Sequence, residues 1–277
     1  MFEENKDSRQ KVAVVSGASG GIGRALCGLL QKRGYRVIAL VRQKSQPQDA
    51  DCMDSMVVCD LMDTASIAQA AQALQQSCDH IDLFVFCAGA ISPQPVATLQ
   101  NEPVMEQVQI NLVGVMLLTN AILPAMAAGS HIVYTNSMAG IFPLAGSSVY
   151  TASKFGLRGF ALALEQELRP RGIRVSSIFP GSVNTTMLLK EMEQGGSVLN
   201  FMSAPREPEA IAEWILASSG KGRVESFPSS VDSFFCSLFL WSPRFLRLCM
   251  PLMTMWAKAG RARYRKMALK NQADRAD

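Results

Sequence analysis

Residues 11–33 run from an apolar, valine-rich hexapeptide, Lys11-Val-Ala-Val-Val-Ser16, through Gly17-Ala-Ser-Gly-Gly21-Ile-Gly23 into Arg24-Ala-Leu-Cys-Gly-Leu-Leu-Gln-Lys-Arg33. A short buried strand, a glycine-rich turn and a helix start in immediate succession commit this stretch to a βα unit. Glycines in such a turn permit positive φ and let backbone approach a pyrophosphate. The helix N-terminus meanwhile offers unpaired N–H groups to an anion. The pattern then repeats. Strands are expected near 11–16, 36–41, 56–59, 82–86, 131–136 and 173–179, with a weaker seventh near 223–227 and helices between them. Alternation of this kind implies a parallel sheet covered by helices on both faces, with ligands at the carboxyl ends of the strands. Gly17, Asp60, Gly89, Ser137 and Pro180 each follow a predicted strand, so the topology gathers them on one sheet edge.

A chain of 277 residues with 48% hydrophobic content suffices for one α/β domain with a full core. The expected fold is a Rossmann-type doubly wound parallel sheet in a single domain with an amphipathic C-terminal helical extension. Its expected parts are an N-terminal tail over 1–10, a dinucleotide-binding catalytic domain over 11–228 and an apolar, basic extension over 229–277. Two histidines, His80 and His131, leave almost no material for a Ser-His hydrolase or a histidine-rich metal site, and no metal site is expected. Seven cysteines without C-x-x-C spacing argue against zinc and against a disulfide framework, and fit a reducing cytosol. The first ten residues are too charged for a signal peptide and Phe2 excludes a myristoylation start. The expected location is cytoplasmic, extending to the cytoplasmic face of a membrane.

Tyr150 and Lys154 lie four residues apart in Val149-Tyr-Thr-Ala-Ser-Lys154, a spacing that stacks both on one helix face. An ammonium beside a phenol favours the phenolate, so Lys154 is expected to lower the Tyr150 pKa from roughly 10 and fit it for general acid or base work. The glycine spacing is G-x-x-x-G-x-G, and further marks follow in order: Asp60-Leu61, Ala88-Gly89, Asn111 in Asn-Leu-Val-Gly114, Ser137 thirteen residues before Tyr150, and Pro180-Gly181. Each is common singly, but the ordered set is specific. Over residues 11–228 the chain resembles the short-chain dehydrogenase/reductase family.

The resemblance implies an NAD(P)-dependent oxidoreductase interconverting a carbonyl and an alcohol. It implies catalytic roles for Asn111, Ser137, Tyr150 and Lys154. Ser137 would hydrogen-bond the substrate carbonyl and Tyr150 would donate the proton. Lys154 would tune Tyr150 and bind the nicotinamide ribose, and Asn111 would hold a water linking Lys154 to solvent. Cofactor contacts are implied for Gly17, Ser19, Gly21, Ile22, Gly23, Arg42, Asp60, Leu61, Ala88, Gly89, Tyr150, Lys154, Pro180, Gly181, Val183 and Thr185. Thr186, beside Thr185, leaves the carboxamide contact open between them. After the second strand stands Arg42-Gln-Lys44-Ser45, with no acid until Asp49. A basic group there suits a 2′-phosphate, which favours NADP(H) over NAD(H). The alternative is a nucleotide-binding regulatory or interaction protein of the same fold with weak catalysis, although such proteins usually lack the tyrosine or lysine retained here.

Two departures from the family pattern stand out. The usual Asn-Asn-Ala-Gly is Phe86-Cys-Ala-Gly89, and the glycine-rich ending of acyl-carrier-protein reductases is missing. In its place, 231–257 are rich in aromatics, leucine and methionine, interrupted by Arg244 and Arg247, with Pro243 and Pro251 expected to break regular helix. Residues 258–270 then carry six basic side chains and no acid, against a net charge of +4 for the whole chain. No uncharged stretch there approaches the ~20 residues that span a bilayer. An apolar segment followed by a basic one fits an interfacial membrane helix. A dimerisation or core-packing helix pair and a lid over the substrate are the other readings. The composition is similar to that of lipid-active members of the family, including 3-ketodihydrosphingosine reductases. Loops 90–100 and 186–206, with Pro93, Pro95, Met187, Leu188, Leu189, Met192, Phe201 and Met202, are expected to line an apolar substrate pocket. The expected partners are a hydrophobic small molecule, a membrane surface through 231–270, and a second copy or three further copies of the chain. The terminal basic cluster lacks a nucleic-acid module, so none is expected to bind.

Overall fold

A computed structural model describes residues 9–43, 52–219 and 222–273. Alternate residues of the first strand face opposite layers: Val12 and Val14 join one core, Ala13 and Val15 another, as the two-residue period of a strand requires. A strand buried on both faces must be apolar throughout, which explains the uninterrupted valines. The strands are β1 (Val12–Ser16), β2 (Arg36–Val41), β3 (Ser55–Val58), β4 (Leu83–Phe86), β5 (His131–Thr135), β6 (Arg174–Ile178) and β7 (Glu225–Ser226). They form one parallel seven-stranded sheet in the order β3-β2-β1-β4-β5-β6-β7. The chain reverses its winding between β1 and β4, and that switch point opens a crevice at the strand carboxyl ends.

The helices are α1 (Gly21–Lys32), α2 (Thr64–Ser77), α3 (Asn101–Val108), α4 (Gly114–Ile122), α5 (Ser148–Leu168), α6 (Thr186–Glu193), α7 (Pro208–Ser219), α8 (Ser230–Trp241) and α9 (Pro243–Ala273). α1 and α7 cover one face through Leu26, Leu30, Ile211 and Ile215. α2, α4 and α5 cover the other through Ile67, Leu74, Leu118, Ile122, Leu157 and Leu164. The helical run 101–125 is long and apolar enough to cross a membrane, yet Leu118 and Ile122 are spent on this core. The seventh strand is only two residues long, and the Arg158 guanidinium of α5 holds it by bonds of 2.6 and 3.0 Å to both oxygens of Glu225.

α8 and α9 form a hairpin. Cys236 and Phe239 of α8, with Leu246 and Met253 of α9, pack on Ile141, Phe142 and Phe179 in a third core. Further along α9, Gly260 lies so close to the Phe201 carbonyl that a Cβ would overlap it. Tyr264 stacks on Phe201 at 5.5 Å and donates to Asn184 at 3.1 Å. Pro251 was expected to interrupt this helix, but α9 continues through it. Packing on both sides of the proline offsets the single hydrogen bond lost. Pro243 opens α9, where a missing N–H costs nothing.

Candidate active site

Gly17 ends β1 with φ +64°, and a Cβ there would sit 2.6 Å from the Ala88 nitrogen of the turn after β4. A Cβ on Gly23 would overlap the Gly17 carbonyl, and one on Gly21 would meet Thr185 Cγ2 at 2.8 Å. Only glycine therefore lets this turn lie flat against its neighbours. The N-terminus of α1 carries no side-chain cap and no acid in its first turn, so its N–H groups remain available to an anion.

A cavity of about 640 Å³ runs along the strand ends above this turn. Of the residues expected in the site, Gly17, Gly21, Ile22, Gly23, Ala88, Gly89, Ser137, Tyr150, Lys154, Pro180, Gly181, Val183 and Thr185 line it, and so does Thr186. Ser19, Arg42, Asp60, Leu61 and Asn111 do not. Arg42 is exposed just past β2, while Lys44, Ser45 and Asp49 fall outside the described residues. Asp60 accepts from Met62 N at 2.9 Å, and Leu61 is core.

Asn111 is fully buried behind the wall, where a Cβ on Gly89 would lie 3.3 Å from its Oδ1 and 3.9 Å from Lys154 Nζ. It sits in a π-helical turn, Gln109–Val113, between α3 and α4, a distortion common at functional sites. Its side chain is fully engaged. Oδ1 accepts from Ala90 N at 2.8 Å, and Nδ2 donates to Ala90 O at 2.7 Å and to Ser153 Oγ at 3.2 Å. Ser153 in turn donates to the Tyr150 carbonyl at 2.7 Å. These bonds tie the π turn to the loop after β4 and to α5.

Tyr150 and Lys154 stand one turn apart at the start of α5, with Lys154 Nζ 5.6 Å from the Tyr150 ring centre. Their electrostatics correct the expectation of an acidified phenol. Burial pushes Tyr150 up to about 12, although a hydrogen bond with Ser137 pulls the other way. Burial also lowers Lys154 to about 8. The amine lies beneath the ring and donates to Thr135 O at 3.3 Å, so its charge does not reach the phenol oxygen strongly enough to offset desolvation. Ser137 follows β5 by two residues and caps the next turn, its Oγ accepting from Ala139 N at 3.1 Å. The neighbouring Asn136 Nδ2 is buried on the cavity wall and has no hydrogen-bond partner among the described residues. The Cys87 thiol, where the family pattern has an amide, meets Thr135 Oγ1 at 3.5 Å, and burial raises it to about 11.

The rest of the cavity is lined mostly by apolar side chains, with Ser182, Ser203, Arg206 and Asp232 among them. Met187, Leu188 and Met202 line it as expected. Pro93, Pro95, Leu189 and Met192 do not; from the first loop the lining residue is Ile91, and Phe201 packs on Tyr264 instead. The larger wall comes from Phe142, Leu144, Phe235, Phe239, Leu252 and Met253. Glu191 and Asn200 also face this space. Sequence reasoning passes over them because Lys190-Glu191-Met192-Glu193 reads as a solvated stretch.

The short chain dehydrogenase profile matches residues 11–196. The chain is 31% identical over 212 residues to carbonyl reductase family member 4 of Danio rerio, covering 74% of this chain and 90% of that one. It is 32% identical over 183 residues to the 3-oxoacyl-[acyl-carrier-protein] reductase of Homo sapiens, covering 64% and 77%. An actinorhodin polyketide ketoreductase solved with NADPH superposes with a TM-score of 0.69 at 26% identity, covering 79% of this chain and 94% of that one. With the ordered motifs gathered on one sheet edge and the family profile spanning most of the sheet, the chain belongs to the short-chain dehydrogenases and is an oxidoreductase.

Proposed function

We propose that the chain is an NADP(H)-dependent reductase of a hydrophobic, lipid-like ketone that works at a membrane surface. The dinucleotide fits the glycine turn, where an added Cβ would overlap backbone and the α1 N–H groups lack caps. Arg42, exposed past β2, suits a 2′-phosphate, and the ketoreductase relative holding NADPH supports the same choice. Asp60 and Leu61 would flank the adenine end. The cofactor supplies hydride to the carbonyl carbon. Ser137 would hydrogen-bond the carbonyl oxygen as negative charge develops, and the neutral Tyr150 phenol would give that oxygen its proton. Lys154 would bond the nicotinamide ribose. Its charge, brought nearer the phenol, would oppose the burial that raises Tyr150. The backbone of the π turn around Asn111 would hold the water that returns a proton to Lys154.

One observation carries the membrane and substrate part. The hairpin that walls the cavity also bears an unpartnered apolar face, and Phe235 and Leu252 belong to both, being 43% and 57% exposed. Val231, Phe234, Trp241, Leu248, Met255 and Trp256 extend that face. Exposed Arg244, Arg247, Lys258, Arg263 and Arg265 stand on α9. Apolar area beside cationic groups is what anionic lipid attracts. Exposed Val113 of the π turn, Leu117 of α4 and Phe155 of α5 support pairing with a second copy. The test is NADPH oxidation by wild type and Tyr150→Phe over ketones of graded chain length. The substitution is expected to lower kcat/KM by ~10²–10⁴-fold, and kcat/KM should rise with chain length. Equal rates for the two proteins would remove the reductase.

A further inference from the structure

Glu191 is an acidic side chain on the cavity wall that the chemistry above does not use. It lies one turn after Leu188, and the two form the buried face of α6; Glu191 itself is 7% exposed. Its side chain is held from two sides. Asn200 Nδ2 donates to Oε1 at 2.5 Å. Gly196 packs so tightly that an added Cβ would overlap the Glu191 Cγ, while its N–H donates to the Glu191 carbonyl at 2.8 Å. Asn200 is fixed in turn, its carbonyl accepting the Ser182 hydroxyl. Among the described residues no cation pairs with this carboxyl, and burial pushes it up to about 7. Asp232, also on the wall, is occupied differently, its Oδ2 accepting from Ser229 Oγ at 2.7 Å in the cap of α8. The turn that holds Glu191 lies beside the start of α5, where a Cβ on Gly146, four residues before Tyr150, would stand 3.9 Å from the Gly195 carbonyl, and Glu191, Ser137 and Tyr150 line the same cavity.

A buried carboxyl with one amide partner is costly, yet a glycine and an asparagine hold it facing the cavity. We infer that Glu191, presented by Asn200 and Gly196, is the polar anchor of the substrate pocket and selects hydrophobic ketones bearing a hydrogen-bond donor, hydroxyl or protonated amine, beside the reacting carbonyl. Such a donor satisfies the second carboxyl oxygen, whereas a ligand without one leaves it buried and unpaired, and that asymmetry discriminates strongly. The inference rests on the cavity being a ketone site.

Three long-chain ketones of equal length, with a methyl, hydroxyl or amino group on the carbon next to the carbonyl, test it by NADPH oxidation. Wild type is expected to favour the hydroxyl or amino ketone by ~10-fold or more in kcat/KM, and Glu191→Leu to abolish the difference. The near-isosteric Glu191→Gln retains a hydroxyl preference and loses an amine preference, which tells the two donors apart. Equal kcat/KM for the three ketones in wild type, or a preference that survives Glu191→Leu, overturns the inference. Calorimetric binding of the corresponding alcohols, with hydroxyl, amino or methyl neighbours, separates this from failure of the reductase reading. Affinity for the donor-bearing alcohols that drops in Glu191→Leu without any turnover sustains the anchor and sinks the reductase; equal affinities sink the anchor. Should Glu191→Leu fail to fold, Glu191→Met, equally without a carboxyl and closer to glutamate in shape, takes its place with the same expected losses.

Discussion

At neutral pH the Tyr150 phenol, pushed up to about 12 by burial, keeps its proton, and that is the form a reductive proton transfer consumes. Ser137 is the group that draws Tyr150 the other way, and in the proposed reaction its hydroxyl would bond the carbonyl oxygen as charge develops. Ser137→Ala is therefore expected to cut kcat for ketone reduction by ~10²–10³-fold with a smaller change in KM. A rise in KM with kcat unchanged would show that the hydroxyl acts only in binding. Arg42 has a different task. Arg42→Asp should move the ratio of kcat/KM for NADPH over NADH towards NADH by at least ~10-fold, about 1.4 kcal/mol, as steady-state rates with the two cofactors would register. The tyrosine, lysine and serine are legible in the sequence because each has a fixed place relative to a strand end or a helix turn. Their electrostatics are not, because desolvation depends on what the rest of the chain puts above the site. Glu191 is illegible for a related reason: a charge between lysine and methionine on a short helix looks solvated until Gly196 and Asn200 fold against it.

Among the elements, the central strands are the easiest to read, since strands buried on both faces are mostly apolar and β-branched, and β1, β2, β4, β5 and β6 fall within a residue of their expected bounds. The hairpin is harder. Both its inward stripe, Cys236, Phe239, Leu246 and Met253, and its outward stripe are apolar, so periodicity cannot say which one the core takes. Removing 231–277 outright would strip the third core and expose Phe142 and Phe179, confounding any measurement of membrane binding. Trp241, Leu248 and Trp256 are better probes, being 84%, 76% and 68% exposed and not part of the cavity wall. Replacing the three with glutamate should abolish co-sedimentation with anionic vesicles while circular dichroism and turnover of a short, water-soluble ketone stay at wild-type values. Undiminished sedimentation would dismiss the hairpin as the lipid contact.

For the molecule as a whole, the buried ionisable groups of the site tie stability to pH in opposite directions. Glu191 is raised from 4.5 to about 7 by burial, so between those values the native state holds a proton that the unfolded chain has released. Stability from this group is present below pH 4.5 and is lost as pH rises to about 7. Lys154 is lowered from 10.5 to about 8, again by burial. Between those values the unfolded chain holds the extra proton, so the penalty for burying the ammonium is full below about 8 and lifts as pH climbs to 10.5. His131, lowered from 6.5 to about 3 by burial, opposes Glu191 in acid, because its native neutrality costs stability as pH falls through that range. Differences between proteins cancel that background. Urea unfolding of the cofactor-free protein should show wild type losing roughly 3 kcal/mol relative to Glu191→Gln between pH 4.5 and 7, at ~1.4 kcal/mol per pH unit of displacement. Relative to Lys154→Met it should gain a similar amount between pH 8 and 10.5. Parallel curves for wild type and Glu191→Gln would mean that the carboxyl stays hydrated in the native state, and the pocket would then be open to water where Gly196 and Asn200 now close it.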